Sequence, residues 1–262
     1  LTPLSAAGVP GELGDLVSAF NTMLARLDSG FAGIRRFTAD ASHQMRTPLS
    51  VLRTHVAVLK RAKPGSAEAK GSIEDIDDAG ARLSHLLNQL LSLARVDSGH
   101  PERVILEPAD LRRLAADVVS GQEAVASARQ IRLHLGAPQR AVEVRTNTAL
   151  ATEMLVNIVD NAIRYNRPGG QVSVIVDERP AAIRVEDDGP GIPPEDREKV
   201  FERFIRLNPH AGNDGSGLGL SIAHSIAETL GLDLGLDGGP GDRGLRLTII
   251  FPPDADSLVK GP

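Results

Sequence analysis

The sequence predicts an α+β protein in two parts: an antiparallel helical hairpin that forms a dimeric four-helix bundle, then an α/β two-layer sandwich. Three observations carry this reading. Apolar residues recur at heptad spacing through the opening segment. A second helical pattern bears an apolar stripe wider than one hairpin can bury. From about Glu102 onward short strands and helices alternate in runs, not in regular βαβ units, which favours two packed layers.

The first element is a helix from about Gly14 to Ala62. Leu13, Leu16, Phe20, Met23, Leu27, Ile34, Phe37 and Ala41 lie on one seam, with Gly30 the single lapse, and such a seam packs against a partner helix. Carried forward, it leaves His43 off the buried stripe and facing water. Gln44 and Pro48 take the next two seam places, and the heptad restarts out of phase at Leu49, Leu52, Val56 and Leu59. Proline removes a helical hydrogen bond, so a kink is expected at Pro48. An exposed histidine just before a kink is a candidate nucleophile, although a lone exposed histidine is more often simply solvated.

Lys63-Pro64-Gly65-Ser66 reads as the hairpin turn. The second helix, about Ser72 to Val96, aligns Ile73, Ile76, Gly80, Leu83, Leu87, Leu90 and Ala94, widened by Leu86 and Leu93. Two copies in a homodimer would cover that stripe. Asp97 to Pro101 ends the helix and marks a linker.

In the second part, strands are expected at Val104-Leu106, Ile131-Leu135, Val142-Val144, Val172-Val176, Ile183-Glu186 and Leu245-Phe251. Helices fit at about Pro108 to Ala128, Thr148 to Tyr165 and Gly219 to Leu230. Residues 189 to 216 hold Gly, Pro and Asn clusters without a period, and so long a loop is usually functional or mobile.

Composition narrows the function classes. The 262 residues suffice for one large or two ordinary domains. No cysteine is present, which excludes disulfides and cysteine-ligated metal and points to a reducing compartment. A net charge of -5 and the absence of a basic, aromatic-interleaved stripe argue against nucleic-acid binding. No apolar run approaches the ~20 residues that span a bilayer. The opening LTPLSAAGVPGEL has no initiator Met and starts in mid-pattern, so a cut fragment is expected.

Three stretches carry chemistry. Glu153, Asn157 and Asn161 share one helix face beside Arg164. Amide oxygens suit Mg²⁺ and an arginine suits phosphate, yet the same residues equally fit a solvated polar face. Glu186-Asp187-Asp188-Gly189-Pro190-Gly191 places an acid before a glycine turn, either a base-reading carboxylate or an ordinary acidic turn. Gly215-Ser216-Gly217-Leu218-Gly219 leads into a helix start that favours phosphate, though glycine runs are commonly just flexible. The Walker-type loop is absent.

In order and spacing, the Asn face, the Asp-x-Gly-x-Gly turn, Phe201-Glu202-Arg203-Phe204 and the second glycine loop resemble the ATP-binding domain of histidine kinases, gyrase-type topoisomerases, a heat-shock chaperone and mismatch-repair ATPases. SHQMRTPL around His43 resembles the phospho-acceptor box of two-component sensor histidine kinases, and residues 10 to 28 are similar to the second helix of a HAMP linker. The resemblance implies the GHKL (Bergerat) fold for the sandwich. It implies four regions: a HAMP-like relay helix at 1–30, a dimerisation and phosphotransfer domain at 31–100, a catalytic ATP-binding domain at 101–254 and a tail at 255–262.

The resemblance also implies the residue roles. His43 would take the γ-phosphate of ATP, and Thr47 would orient water for dephosphorylating the regulator. Gln44 stands where the family usually has an acid; its carbonyl can hold Nδ1–H but brings no charge. Asn157 would ligate Mg²⁺, with Asn161 and Arg164 on the phosphate side. Tyr165 would lie against adenine and Asp187 would take its amine. Gly189 and Gly191 would let the backbone pass close to the nucleotide, Arg206 would reach the terminal phosphate, and Gly215, Gly217, Leu218 and Gly219 would form the hinge and cradle of a lid. The implied cofactors are ATP and Mg²⁺. The implied partners are a second copy of the chain and the receiver domain of a response regulator. The implied location is the cytoplasmic portion of a protein anchored in the inner or plasma membrane upstream of residue 1. Two rivals stay open, a phosphatase-dominant or kinase-silent module and a plain ATPase of the same superfamily.

Overall fold

The computed structural model describes residues 11–97, 104–207, 215–239 and 243–253. The side chains of Leu13, Leu16, Leu27, Ile34 and Ala94, most of the linker and the tail lie outside the described residues. The chain divides into two compact units, Leu1–Leu86 and Leu87–Pro262.

The hairpin begins with α1 (Gly11–Leu59), whose helical assignment runs through Pro48 without a break. A turn over 60–66 leads to α2 (Ala67–Asp97). Gly65, at φ +79°, makes that turn where a side chain would be strained. Ser66 Oγ accepts from the Ala69 N–H at 3.2 Å and ties off the start of α2. In the first unit the residues of α2 that are buried within one chain are Ala69, Ser72, Ala79 and Leu86. Ile73 and Leu87 stay 57% and 45% exposed. Leu86, which widens the expected stripe, thus belongs to the column the hairpin itself uses, and Ile73 and Leu87 lie one residue to its side. Small residues such as Ser72 and Ala79 let two helices approach closely, which the larger column could not do. His55 Nδ1 comes within 3.2 Å of Asp75 Oδ2 across the hairpin, close enough for an ion pair but not aligned as a hydrogen bond.

The second unit is an α/β sandwich. β1 (Glu107–Asp110) pairs antiparallel with β3 (Glu143–Thr146) in a small two-stranded sheet. The main sheet has the order β2-β4-β5-β7-β6. Its strands are β2 (Arg132–Gly136), β4 (Gln171–Glu178), β5 (Ala181–Asp187), β6 (Asp233–Gly238) and β7 (Leu245–Ile250). β2 runs parallel to β4, and the other pairs are antiparallel. Helices α3 (Leu111–Ala128), α4 (Thr148–Arg164) and α5 (Gly219–Leu230) form the second layer.

The core follows from period-2 alternation in the strands. Val174 faces Val185, and Val185 faces Leu247 on the next strand; Val176, Ile183 and Ile249 repeat the row. All six are buried, together with Met154, Leu155 and Ile158 of α4 and Ile222 and Ile226 of α5. Each such side chain contributes about 1.5–3 kcal/mol by leaving water. The helix starts are fixed by side chains as well: Asp110 accepts from the N–H of Arg112, and Asn147 from that of Leu150, each at 3.0 Å.

Two strand expectations are corrected. The first strand lies at 107–110 and not at Val104-Leu106, where Ile105 is 70% exposed. β6 was not anticipated, because Asp233-Leu234-Gly235-Leu236-Asp237-Gly238 offers two apolar residues among turn formers. It exists because its edge pairs along the full length of β7, so the ladder outweighs weak local propensity. Among the described residues, no helix is long and apolar enough to cross a membrane.

Candidate functional site

A cavity of about 200 Å³ lies in the second unit, walled by α4, the end of β5, the start of β7 and the loop before α5. Ile158, Ala162, Val185, Ile192 and Leu247 make most of its wall apolar. Of the residues singled out in the sequence, Asn161, Tyr165, Asp187, Gly191, Arg206, Gly217 and Gly219 line it. Gly189 lines an adjoining open recess with Tyr165 and Arg243.

Asp187 supplies the cavity's carboxylate. Burial pushes its carboxyl up to about 6, against the opposing pull of main-chain N–H donors from Gly189 and Leu245. The Gly189 N–H lies 2.9 Å from Oδ1. Its neighbour Asp188 points elsewhere and ties the loop before β4: it accepts from the Gln171 N–H at 2.6 Å and pairs with Arg167 at 3.4 Å. Burial raises the Asp188 carboxyl, but the Gln171, Asn166 and Arg167 donors outweigh that and hold it below the usual range.

On α4, Asn157 Nδ2 donates to the Glu153 carbonyl at 2.9 Å. With its nitrogen so committed, the amide oxygen is the atom available to a cation. Arg164 forms an ion pair with Asp160 at 3.0 Å one turn earlier and is not among the cavity's walls. Tyr165 caps α4, and its hydroxyl approaches Gly215 so closely that a Cβ there would collide with it.

The α5 end is built from glycine for steric reasons. Gly217 stands at φ +71°, and a Cβ on it would come within 2.7 Å of the Phe204 carbonyl carbon. A Cβ on Gly219 would meet the Asn161 amide at 3.4 Å, so α5 begins directly against α4. Ser216 Oγ accepts from the Leu218 N–H at 3.2 Å, and Leu218 is fully buried as the N-cap of α5. The helix start is thereby fixed with its N–H groups in place for an anion.

In the first unit His43 is exposed on α1, Thr47 is exposed one turn on, and Gln44 is half-buried. Ala41, the last seam residue before them, is 6% exposed. Among the described residues, no group of three or more His, Asp or Glu side chains could hold a metal ion.

Sequence reading missed Gly244, just before β7, and Leu245 at its start, both set against Asp187, and it gave no sign that Phe204, though part of a motif it singled out, stands at φ +64°. A glycine before an apolar strand reads as an ordinary turn, and a phenylalanine gives no local sign of left-handed backbone.

Two family models match: the "His Kinase A (phospho-acceptor) domain" over residues 34–99, and the "Histidine kinase-, DNA gyrase B-, and HSP90-like ATPase" over residues 146–255. The sensor protein kinase PmrB of Pseudomonas aeruginosa is 37% identical, over 97% of this chain and 54% of its own length. The chain spans about half the length of the curated relatives it matches. A solved histidine kinase, ThkA in complex with the response regulator protein TrrA, shares the fold with a TM-score of 0.68 at 20% identity, covering 86% of this chain and 63% of that one. Full-length ShkA in complex with AMPPNP gives a TM-score of 0.60 at 23% identity over 82% and 45%.

Proposed function

The chain belongs to the sensor histidine kinases, and from that premise we propose that it autophosphorylates His43 with Mg-ATP and passes the phosphoryl group to an aspartate of a response regulator. The observation that carries the reading is Asp187, a carboxylate set into an apolar cavity beside a helix start fixed by Gly217 and Gly219. Such a cavity is smaller than the ~300–1,000 Å³ of a whole-ligand pocket; it suits a base, with ribose and phosphates lying outward toward α5. The AMPPNP bound by ShkA supports a nucleotide here.

In the proposed reaction the Nε2 lone pair of His43 attacks the γ-phosphorus. The bond to the β–γ bridging oxygen breaks, ADP leaves and an Nε2–P bond forms. Mg²⁺, when bound, neutralises charge on the phosphates. The donor set fits it, because Mg²⁺ is commonly held by few protein oxygens plus phosphates and water, and Asn157 presents one amide oxygen. Asp187 reads the adenine amine, Tyr165 closes over the base, and Arg206 faces the phosphates. Arg164 acts on the phosphate side once released from Asp160. Gln44 holds Nδ1–H so that Nε2 carries the lone pair.

Further parts of the reading are a homodimer through the exposed column of α2, a receiver domain as partner (supported by the ThkA–TrrA complex), regulator dephosphorylation using Thr47, and the cytoplasmic side of a membrane protein as its place. The test is incubation of the chain with γ-labelled ATP and Mg²⁺. Acid-labile, base-stable label on the wild type and none on His43→Ala is the expected result. Hydrolysis of ATP without labelled protein would identify a plain ATPase instead.

A further inference from the structure

Gly244 immediately precedes β7 and stands at φ +72°. A Cβ at this position would drive into the carbonyl oxygen of Asp187, and would come within 2.6 Å of its carbonyl carbon and 2.9 Å of Asp188 Cα. These are main-chain atoms, so no flexible side chain can give way. On its other side, the Gly244 carbonyl sits 2.8 Å from where a Cβ on Gly191 would be, and it accepts from the Gly239 N–H at 3.1 Å. Gly244 is thus wedged between the end of β5 and the Gly189–Gly191 turn.

The register explains what this wedge does. Pairing of β5 with β7 runs only to Glu186 opposite Arg246. Beyond that pair, the Leu245 N–H turns to the Asp187 carboxylate, while the Gly189 N–H reaches it from the turn. Two main-chain donors on separate segments therefore grip one carboxylate. A carboxyl torsion is otherwise broad and nearly two-fold, and an ionised carboxylate has about four acceptor sites. With two of these occupied from fixed directions, the remaining ones are aimed.

We infer that Gly244, through the Leu245 N–H it orients, is a positioning residue for base selection, aiming the Asp187 carboxylate at the exocyclic amine of adenine. Gly244 does not line the cavity; its effect passes through Asp187. The inference rests on the ATP reading above and adds to it the element that makes the carboxylate selective.

The test compares ATP with purine riboside triphosphate, which lacks the 6-amine, by calorimetry on the full chain with Mg²⁺. The wild type should prefer ATP by about tenfold or more, the worth of one charge-assisted hydrogen bond. Gly244→Ala should lose most of that preference, binding ATP about tenfold more weakly and the amine-free analogue within about twofold of wild type. An equal loss for both nucleotides, or a preference left intact, overturns the inference while the ATP reading stands. A wild type without preference overturns both, and that arm is read first. A second measurement needs no folded variant: on wild-type protein, the Leu245 and Gly189 amide protons should shift together by NMR as Asp187 titrates near 6. A Leu245 amide that stays still while that of Gly189 moves would overturn the inference equally.

Discussion

Phe204 and Gly217 hold each other in left-handed backbone: the Phe204 N–H donates to the Gly217 carbonyl at 2.8 Å, with φ at +64° and +71°. For phenylalanine this conformation costs of order 1–3 kcal/mol and persists only where surroundings impose it. The pair sits where the loop after β5 meets the start of α5, beside the cavity. A Gly217→Ala protein should therefore lose thermal stability in the second unit by about 1–3 kcal/mol and bind ATP more weakly. A melting curve and an ATP titration that both match wild type would show that the pair is not constrained as described.

Asp187 gives a prediction with two signs. Its carboxyl titrates near 6 when folded against 3.8 for the reference group, so the folded chain binds more protons between those values. Stability of the nucleotide-free protein should then fall as pH rises from about 4 to about 6. ATP affinity should rise over the upper part of that window, because the ionised form accepts from the amine. Asp187→Asn should flatten both profiles, stabilise the nucleotide-free protein at pH 7.5 by up to about 3 kcal/mol, and weaken ATP binding by ~1–3 kcal/mol. A destabilised Asn variant would contradict the burial argument.

His43 is expected to be the sole phosphorylated residue. His55 faces Asp75 across the hairpin, and neither it nor His85 is followed by Arg-Thr-Pro. Label on His43→Ala protein at the wild-type rate would dismiss the assignment.

The two columns of α2 should separate association from folding. Ile73→Glu with Leu87→Glu alters exposed positions and should give helical monomers by sedimentation. Leu86→Glu places a charge in the hairpin's own packing column and should lose helix content in circular dichroism. Monomeric wild-type protein at micromolar concentration would remove the dimer.

Gln44 departs from the family's usual acid, and its replacement tests what it does. Gln44→Ala should slow autophosphorylation, since the Nδ1–H tautomer is no longer held, and Gln44→Glu should equal or exceed wild type. A faster Ala variant at saturating ATP would show that Gln44 restrains the histidine.

Much of the fold was legible because period and punctuation agree. α5 lies at the expected 219–230, and α4 ends one residue early, at Arg164. Buried Val172, Val174 and Val176 alternate as the sequence requires. Within the wide α2 stripe, the split between buried Leu86 and exposed Ile73 and Leu87 was not legible, because an apolar period reveals which columns avoid water, not which neighbour covers each. β6 and the Gly244–Leu245 support were hidden for a related reason: both depend on what β7 meets, and pairing across a sheet leaves no trace in either local segment. Arg164 was read for its charge alone, although Asp160 stands at i,i+4 on the same expected helix; the pairing at 3.0 Å is what the structure adds.

The parallel alignment of β2 with β4, Arg132 opposite Gln171, also orders events during folding. Those strands cannot meet through a tight turn, so the intervening β3 and α4 must first draw the chain back, at the entropic cost of closing a long loop. The β4-β5 hairpin carries no such cost and forms early by comparison. Helix α4, which bears Asn157 and Asn161, lies within the stretch of chain that the closure of β2 onto β4 must order. Substitutions that loosen α4 will slow the chain's arrival at the native state as well as weaken what it binds once there.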